Sequence, residues 1–404
     1  MKSLKLKASS CNKLLRNERE LTAKDVDEVP KGIIPGEWIL LVDEANRKKY
    51  LSYINPHSDS YHNIKVIKQF PIEFKDFQSE EELAINVINE KLLISINKRK
   101  IFQNYSEGCR LVYGSADEIP GLIVDMYKKY ILIQINTAGL DRFRSQIQKI
   151  FKDNFTSKEV ILFDNVEYRK FETLPVYDND KLDADLDVQE NEIKYSISIS
   201  AIQKIGFYYD HRENRKKLME KIKEMNISKN TGLDLFSYVG SWGLHLLRAG
   251  IQNVDFVDQG DMEKSILKNL ELNGLASRGQ FFRKDVFKFL DEANGLGKKW
   301  DVIVSDPPSF TKSEKNKHTA IQGYEKLHQK ALKLVNENGL FVAASCTHYV
   351  DIQELDKTVQ DAAFRNGQKV NLLDLGIQGH DHPMTGFKDK GFYIKYLLYL
   401  VQRG

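Results

Sequence analysis

An apolar run ends in Asp306-Pro307-Pro308-Ser309-Phe310, and forty residues further on a second apolar run ends in Ser345-Cys346-Thr347. In an open α/β sheet, ligands bind outside the carboxyl ends of the strands. A carboxylate and a thiol at two such ends are therefore expected side by side. The two prolines after Asp306 remove two backbone donors and stiffen the turn. That leaves Asp306 and nearby carbonyls facing a cleft, with Phe310 available to stack on a flat substrate. Such a turn suits a planar, nitrogen-bearing group such as a nucleobase edge. Cys346 suggests one particular reaction on that base. Carbon 5 of a pyrimidine is a poor nucleophile, but thiolate addition at carbon 6 makes it enamine-like and able to attack an electrophilic methyl. A thiol of ordinary pKa, about 8.5, is only slightly ionised near neutrality and needs local activation. The structural alternative is a buried cysteine serving as a small hydrophobe after Leu340-Phe341-Val342-Ala343-Ala344. His348, two residues on, reads as an ordinary surface histidine.

Upstream lies a pocket of nucleotide size. A strand over 232–236 runs into Asp234-Leu235-Phe236-Ser237-Tyr238-Val239-Gly240-Ser241-Trp242-Gly243, and a helix follows until Gly250 stops it. A strand, a tight glycine-bearing loop and a helix let a ligand approach backbone and helix N-terminus closely. The GxGxxG fingerprint is absent, which disfavours a dinucleotide pyrophosphate site. The next strand ends at Asp258, where an acid can accept hydrogen bonds from ribose hydroxyls. The third leads to Asp285, at the height of an adenine amino group. Taken singly, the loop is a tight turn and each aspartate a helix cap. Their order on successive strands ahead of Asp306 argues for a ligand.

The chain has 404 residues, 41% hydrophobic and 29% charged, with net charge +3. Length suggests two or three domains and composition a globular protein. The mild positive charge permits nucleic-acid binding without requiring it. Three scattered cysteines, without CxxC or Cys/His ligand spacing, indicate neither a disulfide framework nor a metal site. The basic N-terminus lacks an apolar segment after it, so a signal peptide is not expected. No apolar stretch is long enough to span a bilayer. A reducing cytoplasm is the expected setting.

The pattern changes twice along the chain. Residues 1–72 read as short strands at 38–42, 50–54 and 64–70 around turns, a small N-terminal β-barrel. Residues 73–185 are mixed: a long helix over 79–102, strands near 111–112, 122–126, 131–135 and 160–163, and a helix near 141–151. From 186 to 404 strands and helices alternate, which argues for a doubly wound sheet. Its opening hairpin strand is expected at 193–200, and strands at 232–236, 253–257, 280–283, 301–304 and 339–344. Two last strands, 370–375 and 391–401, are expected as an antiparallel pair at the edge.

Together these runs resemble a known family. Gly206-Phe207-Tyr208-Tyr209-Asp210-His211-Arg212-Glu213-Asn214-Arg215 precedes the glycine loop, and Asp306-Pro307-Pro308-Ser309-Phe310 and Ser345-Cys346-Thr347 follow it. The chain resembles class I S-adenosylmethionine-dependent RNA methyltransferases with an N-terminal PUA domain, near the bacterial 23S rRNA 5-methylcytosine enzymes. Ser52-Tyr53-Ile54-Asn55-Pro56-His57-Ser58 is similar to the PUA signature. Arg110-Leu111-Val112-Tyr113-Gly114 and Ile119-Pro120-Gly121-Leu122-Ile123-Val124-Asp125 are similar to the middle domain.

The resemblance implies an α/β fold: a Rossmann-like methyltransferase sheet with an antiparallel edge strand, after a PUA-like barrel and an α+β middle domain. It implies S-adenosylmethionine as cofactor, with no metal, no membrane and an RNA partner, ribosomal RNA first. It leaves a homodimer open. Carried over by position, Asp234, Phe236, Ser237, Tyr238 and Gly240 would line the cofactor site. Asp258 would bind ribose, Asp285 would meet adenine, and Asp210 and Arg212 would close the pocket. Asp306 would hold the cytosine, with Pro307, Pro308 and Phe310 beside it, and Cys346 would be the nucleophile. His211 stands where the family usually has Gln, and Thr347 replaces Ser. Basic runs Lys98-Arg99-Lys100 and Arg212, Arg215, Lys216, Lys217 would fit RNA or simply form solvated faces. The rival readings are methylation of a base nitrogen, with Cys346 a bystander, and a non-catalytic RNA-binding or ribosome-assembly protein.

Overall fold

In the computed structural model of the chain, residues 1–16, 18–58, 62–74, 79–102, 105, 107–199, 202, 206–311, 313–384, 386 and 391–404 are described. The chain divides into two compact units between Leu186 and Asp187.

The first unit holds two sheets. In the five-stranded sheet, Glu37–Asp43, Lys48–Ile54 and Ile64–Pro71 form an antiparallel meander. Lys2–Lys5 adds to it in parallel and Glu20–Leu21 antiparallel. The run Trp38-Ile39-Leu40-Leu41 is apolar without alternation because both faces of this strand are buried. Ile39 and Leu41 pack into a small core with Leu4, Cys11 and Val66. Trp38 and Leu40 turn the other way, into a larger core with Val87, Ile88 and Leu92 of helix Glu80–Lys100 and with Val124 and Ile133. The last two belong to a four-stranded sheet in spatial order Cys109–Tyr113, Leu122–Met126, Tyr130–Ile135, Glu159–Leu162. One core thus spans the pattern change expected near residue 72. Polar contacts cross it too: Trp38 Nε1 donates to the Gly139 carbonyl at 3.0 Å, and the Tyr53 hydroxyl to the Pro120 carbonyl. A Cβ on Gly139 would fall 2.2 Å from the Tyr53 ring, so a side chain there would prise the sheets apart.

The second unit opens with a hairpin, Leu186–Glu190 and Ile193–Ile197; Ser200, expected in its second strand, lies outside the described residues. Asn191 and Glu192 turn it with φ of 50° and 66°, the left-handed pair a two-residue hairpin turn demands. The main sheet has seven strands. In spatial order they are Gly279–Arg283, Asn253–Asp258, Thr231–Leu235, Trp300–Ser305, Val335–Ser345, Lys395–Arg403 and Gln368–Gly376. The first five are parallel. Every residue of Trp300–Ser305 is buried, as expected for a parallel strand covered on both faces. Leu233, Ile303 and Phe341 pack under Phe289, Leu327 and Val359 from three helices, Val286–Gly295, Lys317–Leu332 and Ile352–Arg365. The last two strands are antiparallel to each other. The strand that runs against the rest, however, is Lys395–Arg403, one in from the edge, because it also pairs antiparallel with Val335–Ser345. Insertion rather than addition places Lys395 opposite Ser345.

Several basic residues that would fit an RNA partner instead hold the units together internally. Arg99 grips Asp117 with both guanidinium nitrogens at 2.7 Å, and both side chains are buried. Arg212 and Arg215 both bond Glu190, whose carboxylate is fully buried. Lys98, Lys216 and Lys217 remain partly exposed. Removing one partner of a buried pair strands the other charge, at a cost of about 3–5 kcal/mol. Arg99→Ala is therefore expected to lower the urea midpoint of the first unit markedly, whereas Lys98→Ala leaves it nearly unchanged. Equal, small shifts would refute the account.

Candidate active site

The carboxyl ends of the central strands carry the site, and the register brings them level. Leu235 lies between Val257 on one side and Ser305 on the other, and Ser305 pairs with Ala343. The chain leaving each strand therefore delivers Phe236–Tyr238, Asp258, Asp306 and Cys346 to one edge.

The loop after Thr231–Leu235 is strained. Phe236, Tyr238 and Gly240 all have positive φ, of 61°, 48° and 82°. For non-glycine residues this costs on the order of 1 kcal/mol or more each and persists only where surroundings enforce it. Here they do: Ser237 N donates to the Val257 carbonyl at 3.1 Å, Tyr238 N to Asp258 Oδ2 at 3.0 Å, and Gly240 N to the Ser237 carbonyl at 2.7 Å. Helix Ser241–Arg248 follows. Gly243 lets it lie close on the neighbouring strand, because a Cβ there would meet the Phe256 ring at 2.1 Å. Asp234, fully buried, accepts from Gly243 N at 2.8 Å through Oδ2. Its Oδ1 and the Ser237 hydroxyl are buried without a protein partner. Asp258 also accepts from Gly260 N at 2.7 Å. A carboxylate offers about four lone-pair sites, so it retains capacity for a ligand. Asp285 is exposed and caps helix Val286–Gly295 by accepting from Lys288 N.

Asp306 is held by one hydrogen bond and faces a buried imidazole. Trp242 Nε1 donates to Oδ2 at 2.8 Å, and His211 Nε2 lies 3.6 Å from Oδ1. The Asn214 amide nitrogen meets His211 Nδ1 at 3.1 Å and also donates to the Ile377 carbonyl. An amide NH₂ can only donate, so Nδ1 accepts and Nε2 carries the proton, pointing at Asp306. Trp242 is itself wedged between the His211 ring and a parallel Tyr396 ring. Of the three cysteines, Cys11 and Cys109 are buried, while Cys346 is partly open. Its thiol faces the Pro307 carbonyl at 3.7 Å. A strained glycine loop, two ligand-ready carboxylates and a third carboxylate beside a thiol are now assembled on one sheet edge.

The profile of the S-adenosylmethionine-dependent methyltransferase family matches residues 156–363. The chain is 31% identical over 330 residues to ribosomal RNA large subunit methyltransferase I of Aeromonas salmonicida, covering 80% of this chain and 82% of that one. The protein of that name from Vibrio cholerae is 29% identical over 349 residues, 84% of each chain. The chain belongs to the S-adenosylmethionine-dependent methyltransferase family. Its fold is similar to a methyltransferase structure from Streptococcus mutans, with TM-score 0.76 over 99% of this chain and all of that one at 19% identity.

The residues present fit S-adenosylmethionine, the cofactor of this methyltransferase. The N-terminus of helix Ser241–Arg248, directly after the loop, suits a carboxylate. Asp258 suits the ribose hydroxyls, and the unpartnered Asp234 Oδ1 and Ser237 Oγ are the buried polar atoms a ligand would satisfy. Asp210 accepts from the Tyr393 hydroxyl at 2.8 Å. Arg212 spends its charge on Glu190, and its guanidinium lies over the Tyr209 ring. Pro307 is buried and Pro308 exposed. Phe310 packs on Tyr324, ring centroids 4.7 Å apart, so helix Lys317–Leu332 takes up its ring. His348 is exposed, because strand Val335–Ser345 ends before Cys346. Sequence reasoning missed Trp242, Tyr393 and Lys395. Trp242 alone carried a signal: a donor-bearing aromatic inside the glycine loop. No helix among the described residues is long and apolar enough to cross a membrane.

Burial pushes the Asp234 carboxyl up to about 8; the Gly243 N–H opposes this, and the charges of Asp306 and Asp258 add to it. Between the ordinary value near 4 and about 8, the native state keeps a proton that the unfolded chain releases. Asp234 thus costs stability increasingly as pH rises through that window. Without ligand, Asp234→Asn is expected to melt above the wild type near pH 8, with the gap closing toward pH 4. A gap independent of pH would contradict this assignment.

Proposed function

We propose that this methyltransferase acts on RNA, transferring a methyl group to carbon 5 of a cytosine in large-subunit ribosomal RNA through a covalent adduct with Cys346. The observation that carries the reading is the partly open Cys346 thiol beside the Asp306-Pro307-Pro308 turn, 3.7 Å from the Pro307 carbonyl. The names of the relatives support ribosomal RNA as the substrate. RNA enzymes of this kind act on unstacked or extruded bases. A β-rich PUA-like segment over 1–72 and a middle segment over 73–185 are read as RNA-positioning parts, with 186–404 as the catalytic domain. A bacterial cytoplasm is the setting this substrate implies.

The chemistry follows from the groups at the edge. Asp306, held by the indole N–H, accepts from the exocyclic amine of cytosine, orienting the ring. The Cys346 thiolate forms a bond to carbon 6, and the electron pair of the 5,6 double bond moves into the ring, enriching carbon 5. Carbon 5 would then take up the electrophilic methyl that S-adenosylmethionine supplies when bound, with S-adenosylhomocysteine as the leaving group. Loss of the proton on carbon 5 then restores the double bond and expels the thiolate.

Nucleoside mass spectrometry of ribosomal RNA incubated with the protein and S-adenosylmethionine tests this. The wild type is expected to produce 5-methylcytidine, and Cys346→Ala to lose at least about a thousandfold in rate, the scale on which covalent catalysis depends. Full carbon 5 methylation by Cys346→Ala would overturn the nucleophile assignment, and an amino- or ring-nitrogen product would favour base-nitrogen methylation. Trp242→Phe keeps the ring but removes the donor to Asp306. Losing a hydrogen bond to a charged group costs about 1.5–3 kcal/mol, so its kcat should fall about tenfold to a hundredfold with little change in KM for the cofactor.

A further inference from the structure

Lys395 is the first residue of the inserted antiparallel strand, and it pairs with Ser345, the residue before Cys346. It is 1% exposed. Lysine is almost never buried this far unless a carboxylate pairs with it. Among the described residues none makes a direct ion pair with this one. Its ammonium instead donates to the carbonyl of Thr347, the residue after Cys346, and to the Tyr393 carbonyl at 3.4 Å, with the Phe392 ring centroid 5.0 Å away. The buried cation thus reaches the chain on both sides of the thiol: by strand pairing before it and by a charged hydrogen bond after it.

The other charged groups around it have work elsewhere. Asp351 caps helix Ile352–Arg365 by accepting from Glu354 N, Glu354 accepts from Asp351 N, and Glu354 also pairs with Lys317 at 2.8 Å. Both act on Lys395 only at longer range. Tyr324 is bonded to Ser345 Oγ at 2.9 Å and feels the charges of both Cys346 and Asp306. A negative charge disfavours ionisation of a nearby thiol and a positive one favours it. Lys395 is a cation that interacts electrostatically with Cys346.

We propose that Lys395 is the positioning residue for Cys346, its buried ammonium fixing the backbone around the thiol and holding the sulfur in its ionised form. Burial pulls Lys395 down to about 8, while Asp351, Cys346 and Glu354 favour its charged form. At neutral pH it is thus still mostly cationic, and an attraction that favours the ammonium favours the thiolate equally. The catalytic consequence rests on the reading of Cys346 as nucleophile; the coupling between the two groups does not.

The test measures the coupling and the reaction separately. Iodoacetamide alkylation of the full-length protein is followed against pH, and peptide mass spectrometry assigns the modification to Cys346. Lys395→Gln keeps a donor for the Thr347 carbonyl but removes the charge, and Lys395→Arg keeps both. In Lys395→Gln the alkylation profile is expected to move up by about one pH unit, a roughly tenfold slower reaction at neutral pH. Its kcat for methylation should fall in parallel and recover at higher pH, with KM for S-adenosylmethionine little changed. Lys395→Arg should keep the wild-type profile below about pH 8, where Lys395 is itself charged. A folded Lys395→Gln with an unchanged alkylation profile would overturn the proposal whatever its activity. If Lys395→Gln does not fold, Lys395→Arg decides: a permanent cation should remove any weakening of the thiolate above about pH 8, and an identical decline would overturn it. Should Cys346→Ala retain carbon 5 methylation while the alkylation shift is present, the nucleophile reading fails and the coupling stands.

Discussion

The indole N–H of Trp242 on the Asp306 carboxylate is the contact on which the site depends. Trp242 belongs to the helix that begins at the glycine loop proposed to hold the cofactor, and Asp306 begins the turn proposed to hold the base. One hydrogen bond thus ties the two halves of the proposed site together. The indole takes Oδ2 and leaves Oδ1 for another donor, and a carboxylate can accept hydrogen bonds from a base but cannot donate to one. The stacked Tyr396 ring and the His211 ring hold the indole in place, so the donor is set before any substrate arrives.

Around this contact the second unit keeps several features that oppose stability. Asp234 is fully buried and forced toward its neutral form, Lys395 is buried with no paired carboxylate among the described residues, and Phe236 and Tyr238 have left-handed backbones. These costs collect at the carboxyl ends of the central parallel strands. The buried charges that serve structure are treated differently. Glu190 lies between Arg212 and Arg215, and Asp117 is gripped by both nitrogens of Arg99. A fully paired buried charge holds elements in register. An incompletely paired one costs stability and is retained where a ligand or a reacting group completes it.

The first unit shows how a change of pattern differs from a change of core. Short strands give way to a long helix near residue 73, and that shift reads as a domain boundary. Yet Trp38, Leu40 and Tyr53 from the first sheet pack with Val87, Leu92 and Ile133 beyond it. The clue was in the run Trp38-Ile39-Leu40-Leu41. A strand with one wet face alternates. This one does not, because it has two cores to fill.

Periodicity within about ten residues was enough to read the parallel strands, the long helix after Ser79 and the glycine loop. Those elements are decided by which faces of the local chain must be dry. The chemical inventory was equally legible: Asp234 lies within an apolar strand, Asp258 ends one, Asp306 and Cys346 each follow one, and the sheet rule puts strand ends together. What the sequence left open is every contact whose partners are far apart along the chain. Arg212 reads as a pocket-closing or RNA-binding cation until the hairpin brings Glu190 to it. Phe310 reads as a stacking surface until Tyr324 and Gly323 offer it a packed site. Lys395 carries no local signal, because its position beside Cys346 arises from one strand being inserted between two others rather than added at the edge. Local sequence determined which groups this protein could use and which strand ends carry them. Only the tertiary register decided which group faces which, because a shift of one residue or one strand position exchanges partners without altering any local pattern.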